Sequence, residues 1–156
     1  MPSKAKDIWK QFEKKIGQEL NIRPNAYCVA IPNEIRGMYG KRKPIQVVTP
    51  FDFAASIDGR AIFFDAKTCG ETTFNLQSLV LRKQKNHQWQ ELIKARDSGS
   101  AAGYLIWFYK YSIIIWASVE DIEEAIKQGK KSLNITHRRS QVDDTPLDLA
   151  SLVWKQ

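Results

Sequence analysis

One dipeptide, Asp58-Gly59, constrains the fold of this chain more than any other feature, because it lies between two apolar-rich runs. Such a dipeptide favours a tight β-hairpin in which both loop residues adopt positive φ angles. If these two residues form the loop, Ile57 lies opposite Arg60, and the pairing continues outward one residue at a time. This register predicts that Asp52 lies directly opposite Asp65.

The two faces of this hairpin differ in polarity, since side chains alternate along a strand. Asp52, Asp65 and Lys67 share one face, and the other face is apolar: Phe53, Ala55, Ile62 and Phe64. Two opposed carboxylates repel unless a cation lies between them. Hard carboxylate oxygens without a nearby Cys or His favour Mg²⁺, with Mn²⁺ as the alternative, over zinc. The same residues also fit a solvated hairpin face, but Ala61 and Phe63 precede Asp65 on its own face, which favours a buried carboxylate.

Length and composition set broad limits on the class of protein. The 156 residues predict one domain, and the formal net charge of +7 favours a polyanionic partner such as nucleic acid, although basic surfaces also occur without one. Cys28 and Cys69 fit neither a disulfide framework nor a zinc-ligand spacing, so free thiols in a reducing compartment are expected. The N-terminus lacks the succession of charged, apolar and small residues that is typical of a signal peptide, and no apolar run approaches membrane-spanning length. A cytoplasmic protein without membrane contact is therefore expected.

A Pro followed by Asp52, a hairpin and then Asp65-Ala66-Lys67 resembles the PD-(D/E)xK nuclease superfamily. More narrowly, the T-x-x-D-F pattern, Gly59–Lys67 and then T-F-N-L-Q at 73–77 resemble the RecU-like Holliday-junction resolvases, with gaps, from about residue 8 to residue 118. One departure is Asp65, where that family usually has Glu. The resemblance implies an α/β fold with a restriction-endonuclease-like core, in which helices flank a mixed central β-sheet.

The same resemblance implies the chemistry. It predicts a Mg²⁺-dependent endodeoxyribonuclease that resolves four-way junctions by symmetric phosphodiester hydrolysis, leaving 5′-phosphate and 3′-hydroxyl ends. Symmetric cleavage needs two active sites, so a homodimer is expected. In the implied site, the carboxylates of Asp52 and Asp65 and the backbone carbonyl of Ala66 hold one or two metals. Glu13 completes the site of the second metal. Lys67 lies against the attacking water or a phosphoryl oxygen, and Gln77 orients the water or a ligand.

The remaining elements follow from periodicity. Apolar residues at three- and four-residue spacing predict a helix over 4–20, in which Glu13 lies beside the inward stripe. Glu13 either reaches water from that boundary or points at a cation, and the resemblance favours the cation. A strand is expected near 27–31, a helix from His87 to about Ser98, two central strands at 101–109 and 112–117, and a packing helix at 119–128 capped by Ser118.

Three further segments carry functional or docking expectations. A basic segment at 32–46 corresponds to the protrusion that enters the junction centre in RecU-like proteins, and a second basic run precedes the helix at His87. Both segments are expected to bind DNA phosphates through their basic residues, and the alternative is that these residues are ordinary solvated surface cations. The residues are Arg36, Lys41, Arg42, Lys43, Arg82, Lys83 and Lys85. The C-terminal extension, 130–156, contains an apolar turn starting at Thr145-Pro146 that docks either on its own domain or on a partner subunit.

Two other functions remain open at this stage. A general or restriction-type nuclease of the same superfamily would need the same metal site without junction selectivity. A non-catalytic DNA-binding module would keep the fold, but its distinguishing feature would be a broken site, and every main position is filled in this sequence.

Overall fold

A computed structural model of the chain describes residues 4–32, 34–36, 45–47, 50–80 and 86–155, and for residues 34–36, 45–47 and 86 it describes the backbone only. The helices of these ranges are α1 (Lys4–Asn21), α2 (Gln77–Val80), α3 (Asn86–Asp97), α4 (Val119–Lys127) and α5 (Leu149–Trp154). The strands are β1 (Ala26–Ala30), β2 (Glu34–Arg36), β3 (Ile45–Val47), β4 (Phe53–Ile57), β5 (Arg60–Cys69), β6 (Thr73–Asn75), β7 (Ala101–Phe108), β8 (Ile113–Ser118), β9 (Ser132–Asn134) and β10 (Ser140–Val142).

Six of these strands form one mixed sheet in the order β1-β4-β5-β7-β8-β10. β5 and β7 are parallel, and the other neighbours are antiparallel. Helices α1 and α5 pack on one face of the sheet, and α2, α3 and α4 pack on the other, which places a hydrophobic cluster on each side. The predicted α/β class, with a mixed central sheet flanked by helices, is therefore confirmed.

The hairpin formed by β4 and β5 has the register that the sequence predicts. Ile57 pairs with Arg60, and the ladder continues in phase to Phe53 opposite Phe64. Asp58 and Gly59 adopt φ angles of 52° and 79°, a region that glycine enters freely and that Asp tolerates better than most residues. The turn chemistry thus sets which residues of the two strands meet.

β7 and β8 occupy central sheet positions, as their continuous apolar character predicts. Most of their side chains are buried, because helices cover the sheet on both faces. Gly103 of β7 is required by close packing with β8. A Cβ atom at this position would collide with the Ala117 carbonyl oxygen and would lie 2.8 Å from the Cα of Ser118.

Two helices show the local features that the sequence predicts, a buried stripe in α1 and an N-terminal cap in α4. α1 buries Phe12, Ile16 and Leu20 from one stripe. α4 starts with the expected capping box, in which Ser118 Oγ accepts from the Asp121 N–H and the Asp121 carboxylate accepts from the Ser118 N–H.

The C-terminal helix α5 starts later than the sequence predicts. It begins at Leu149, because Asp148 caps it, rather than at Thr145-Pro146. Leu149 and Leu152 are buried in the same hydrophobic cluster as α1, so this segment docks on its own chain.

Most of the basic residues that are expected to bind DNA lie outside the described residues: Lys41, Arg42, Lys43, Arg82, Lys83 and Lys85. Arg36 lies in β2, where only its backbone is described.

Both cysteines are free, and burial raises the pKa of the Cys28 thiol to about 12. Across the described ranges, no helix has both the length and the apolar character needed to span a bilayer.

Candidate active site at the overhang of the central hairpin

The candidate site lies where the central strand β5 loses one of its neighbours. β4 begins at Phe53, opposite Phe64, whereas β5 continues to Cys69. The segment Asp65–Lys67 therefore extends beyond β4 on one side, while β7 still pairs with it on the other side. Backbone groups that β4 would have satisfied are left facing Asp52, the residue immediately before β4.

Two hydrogen bonds connect Asp52 to the β5 overhang, one to Asp65 and one to Ala66. The Asp52 N–H donates to Asp65 Oδ1 at 2.7 Å, and Asp52 Oδ2 accepts from the Ala66 N–H at 3.1 Å. Asp65 is fully buried, with 0% of its surface exposed, and within the described ranges it is the charged residue that the core encloses completely. The two carboxylates are thus held together on one side of the chain, as the hairpin register implies.

The charge balance of this pair is unfavourable. Burial and then the negative charge of Asp52 raise the pKa of Asp65 to about 7, despite the opposing effect of Lys67. Burial also raises the pKa of Asp52, while its hydrogen bond from Ala66 and the charge of Lys67 lower it. Asp65 Oδ2 is buried without a hydrogen-bond partner, which is costly for a carboxylate oxygen.

Lys67 supplies the nearest positive charge. Its Nζ lies 3.9 Å from Asp65 Oδ2, and about 20% of the side chain is exposed. The same ammonium group donates a hydrogen bond to Gln88 Oε1 at 3.3 Å. Gln88 lies on α3, which packs over the face of β5 that carries Asp65 and Lys67.

Gln88 is the site residue that the sequence analysis missed. A signal for it exists, because Gln88 lies four residues before the buried Leu92 and therefore on the inward stripe of α3. A polar side chain on such a stripe needs a partner, and Lys67 provides it.

Gln77, which the resemblance places near the metal, lies two residues after the short strand β6. It is exposed at the start of α2, where its backbone N–H donates to Asn75 Oδ1 at 2.8 Å. Pairing of β6 with β9, together with a hydrogen bond from the Leu76 N–H to the Lys131 carbonyl, holds this segment beside Lys131. Among the described contacts, none joins Gln77 to the carboxylate pair or to Lys67.

Glu13 is partly buried on α1, which packs against the opposite face of β5, the face carrying Phe64 and Ala66. No three His, Cys, Asp or Glu side chains within the described ranges lie close enough to form a metal-binding group, so Asp52 and Asp65 come together as a pair without Glu13. The contact from α1 to the site comes from Trp9, whose indole N–H donates to the Ala66 carbonyl oxygen at 3.2 Å.

The fold and this site define a class of protein. A mixed sheet flanked by helices carries an aspartate before one central strand and Asp-x-Lys at the overhang of the next, which is the arrangement of the PD-(D/E)xK nuclease superfamily that the sequence resembles. Comparison with known proteins then narrows the class.

The model of the family described as Recombination protein U matches residues 36–152, about three quarters of the chain. The chain belongs to this RecU family of Holliday-junction resolvases. Among solved structures, the chain is similar to Hjc, a Holliday junction resolvase from the archaeal hyperthermophile Archaeoglobus fulgidus, with 16% sequence identity and a TM-score of 0.47 over 71% of this chain and 77% of that chain. No curated protein matches the sequence.

Proposed function

We propose that this protein is a Mg²⁺-dependent endodeoxyribonuclease that resolves four-way DNA junctions by symmetric hydrolysis of phosphodiesters. Membership of the RecU family supports a junction-resolving nuclease. The single observation that carries the proposed chemistry is the buried Asp52–Asp65 pair, in which Asp65 Oδ2 has no hydrogen-bond partner.

The donor set fits a hard divalent cation. Asp52 and Asp65 bring two carboxylates together, the Ala66 carbonyl would add a third oxygen ligand, and the unpartnered Asp65 Oδ2 is a free acceptor for such an ion. Mg²⁺ is the proposed metal, with Mn²⁺ as the alternative. When bound, it would lower the pKa of a coordinated water and neutralise the charge that develops on the phosphate. Glu13 does not join this cluster, so the proposal assigns the metal to the two aspartates and the carbonyl.

The chain's own cation has a separate role. The Lys67 ammonium group, 3.9 Å from Asp65 Oδ2, lies at the edge of the carboxylate pair and can hold the attacking water or a phosphoryl oxygen by a charge-assisted hydrogen bond. Gln88 Oε1 accepts a hydrogen bond from the same group and thereby limits where Lys67 points. The glutamine role that the resemblance implies for Gln77 is therefore proposed for Gln88.

Junction selectivity is proposed from the family and from charge. A net charge of +7 suits phosphate contacts that follow the shape of DNA rather than its base sequence. The basic segments around Lys41–Lys43 and Arg82–Lys85 are proposed to provide such contacts. Two symmetric cuts need two copies of the site, so the working form is proposed to be a two-fold homodimer.

The direct test uses a labelled four-way junction incubated with the protein, with and without Mg²⁺. Asp52→Ala is expected to abolish cleavage and to leave junction binding intact, because it removes a metal ligand and leaves the basic segments proposed to contact the DNA phosphates unchanged. Asp58→Asn, which changes an exposed carboxylate in the turn of the same hairpin, serves as the matched control and should cleave normally.

Persistent Mg²⁺-dependent cleavage by Asp52→Ala would contradict the metal-site assignment. Equal affinity for linear duplex and four-way DNA in a gel shift would leave a general or restriction-type nuclease. A calorimetric titration that detects no Mg²⁺ binding dependent on Asp52 and Asp65 would leave a non-catalytic DNA-binding module.

A further inference from the structure

The backbone of Ala66 occupies an unusual position in the sheet. In a β-strand, the N–H and C=O of one residue point to the same side, and those of the next residue point to the other side. The Ala66 N–H bonds to the Asp52 carboxylate, so the Ala66 carbonyl also points toward the side that β4 would occupy. β4 begins only at Phe53, and hence no strand is present there to bond this carbonyl.

Trp9 takes the place of the missing strand. Its indole N–H donates to the Ala66 carbonyl oxygen at 3.2 Å, across 57 residues of sequence. Ala66 is only 1% exposed, so an unpaired carbonyl at this point would be costly. The indole is held in position because Phe12 and Ile16, on the same stripe of α1, are fully buried against the sheet.

The two peptide groups that flank the Ala66 Cα are therefore each held at one polar group: Asp52 accepts from the N–H of the first, and Trp9 donates to the carbonyl of the second. Rotation about either would move a neighbouring residue, Asp65 before Ala66 or Lys67 after it. A carbonyl oxygen has two lone pairs, and the indole occupies one of them, so the other can accept a second partner.

From this geometry we infer that Trp9 is a positioning residue of the site: it fixes the carbonyl of Ala66, and through this backbone the placement of Asp65 and Lys67. The inference rests on the proposed function for the metal that this carbonyl would help to bind. Trp9 precedes the residues that the family model matches, so family membership assigns it no role.

The test replaces Trp9 by Phe, which removes the indole N–H and keeps an aromatic ring at this partly buried position. Trp107→Phe is the matched control, because the partly buried Trp107 donates its indole N–H to a group outside the site, Asp143 Oδ2, at 2.8 Å. The first measurement is amide hydrogen exchange of the metal-free protein, resolved by residue. Trp9→Phe is expected to speed exchange of the Ala66 and Lys67 amides, which belong to the two peptide groups flanking the Ala66 Cα, roughly three- to tenfold, the effect of losing one hydrogen bond, and to leave the β7 amides unchanged.

The second measurement is Mg²⁺ affinity by calorimetry, which is expected to fall by a similar factor in Trp9→Phe and to stay unchanged in Trp107→Phe. Unchanged Ala66 exchange in Trp9→Phe overturns the inference. Equal acceleration across β5, β7 and β8 also overturns it, because that pattern is the signature of a purely structural tryptophan. Failure of the proposed function is recognised separately, by the absence of Mg²⁺ binding in the unmodified protein, and the exchange measurement still decides the role of Trp9.

Discussion

Asp65→Asn is expected to stabilise the metal-free protein at alkaline pH, although it removes a residue of the proposed active site. Burial and the neighbouring Asp52 raise the pKa of Asp65 from 3.8 to about 7. The folded protein therefore binds a proton more tightly than the unfolded chain does. Its contribution to stability is fully present below pH 3.8 and is lost as the pH rises through 7, where the buried carboxylate must ionise.

The size of the effect follows from this difference. A separation of about three pKa units, at 1.36 kcal/mol per unit, gives an upper bound of about 4 kcal/mol at pH 8. Part of this gain is lost in the variant, because the ion pair between Lys67 and Asp65 Oδ2 disappears. The amide oxygen can still accept the hydrogen bond from the Asp52 N–H. A net gain of about 2 kcal/mol, or roughly 4–8 °C in melting temperature, is expected.

The assay is thermal unfolding in EDTA between pH 5 and pH 8. The melting temperature of the unmodified protein should fall across this range, and that of Asp65→Asn should fall much less. Asp58→Asn, an exposed change in the same hairpin, should follow the unmodified protein. Added Mg²⁺ should raise the melting temperature at pH 8 only where Asp65 is present. The reasoning is refuted if Asp65→Asn is the less stable protein at pH 8 in EDTA, or if the unmodified protein is equally stable at pH 5 and pH 8.

Three other substitutions test the site and its support. Gln88→Ala should slow junction cleavage in single-turnover assays roughly tenfold at unchanged junction affinity, since Lys67 loses one hydrogen bond. Gln77→Ala should cleave normally in the same assay. Slow cleavage by Gln77→Ala and normal cleavage by Gln88→Ala would instead assign the orienting glutamine to Gln77. Ser118→Ala should lower unfolding stability by about 1 kcal/mol through loss of the α4 cap, with Ser118→Thr restoring much of it in urea titrations. Gly103→Ala should lower the free energy of unfolding by about 3 kcal/mol or more, because the added Cβ collides with the backbone of β8. A variant as soluble and stable as the unmodified protein would contradict the close approach of β7 and β8.

Much of the fold can be predicted from the sequence because the responsible patterns are local. The turn at Asp58-Gly59 sets the hairpin register, and the alternation of side chains then brings Asp52 beside Asp65. The apolar stripe of α1, the continuous apolar runs of β7 and β8, and the capping box at Ser118 are likewise contained in short segments. In each case, the period or the cap belongs to one stretch of chain.

The parts that the sequence analysis missed depend on pairing between distant segments. Strands β6, β9 and β10 are three residues each, too brief for their own patterns to predict a strand, and they form by pairing with distant segments. Pairing of β6 with β9 also holds the segment of Gln77 beside Lys131, a contact that its place in the motif does not indicate. A motif position is a statement about sequence spacing, and it does not determine which distant segment pairs with it.

The sequence by itself therefore determined which two carboxylates meet and which lysine accompanies them, because both follow from strand geometry within one hairpin. The tertiary structure decided how those groups behave. Full burial of Asp65, the contact of Gln88 with Lys67 and the contact of Trp9 with Ala66 all arise where helices pack on the sheet. The physical reason is that a hairpin register depends on neighbouring residues, whereas desolvation and long-range hydrogen bonds depend on the whole packed core.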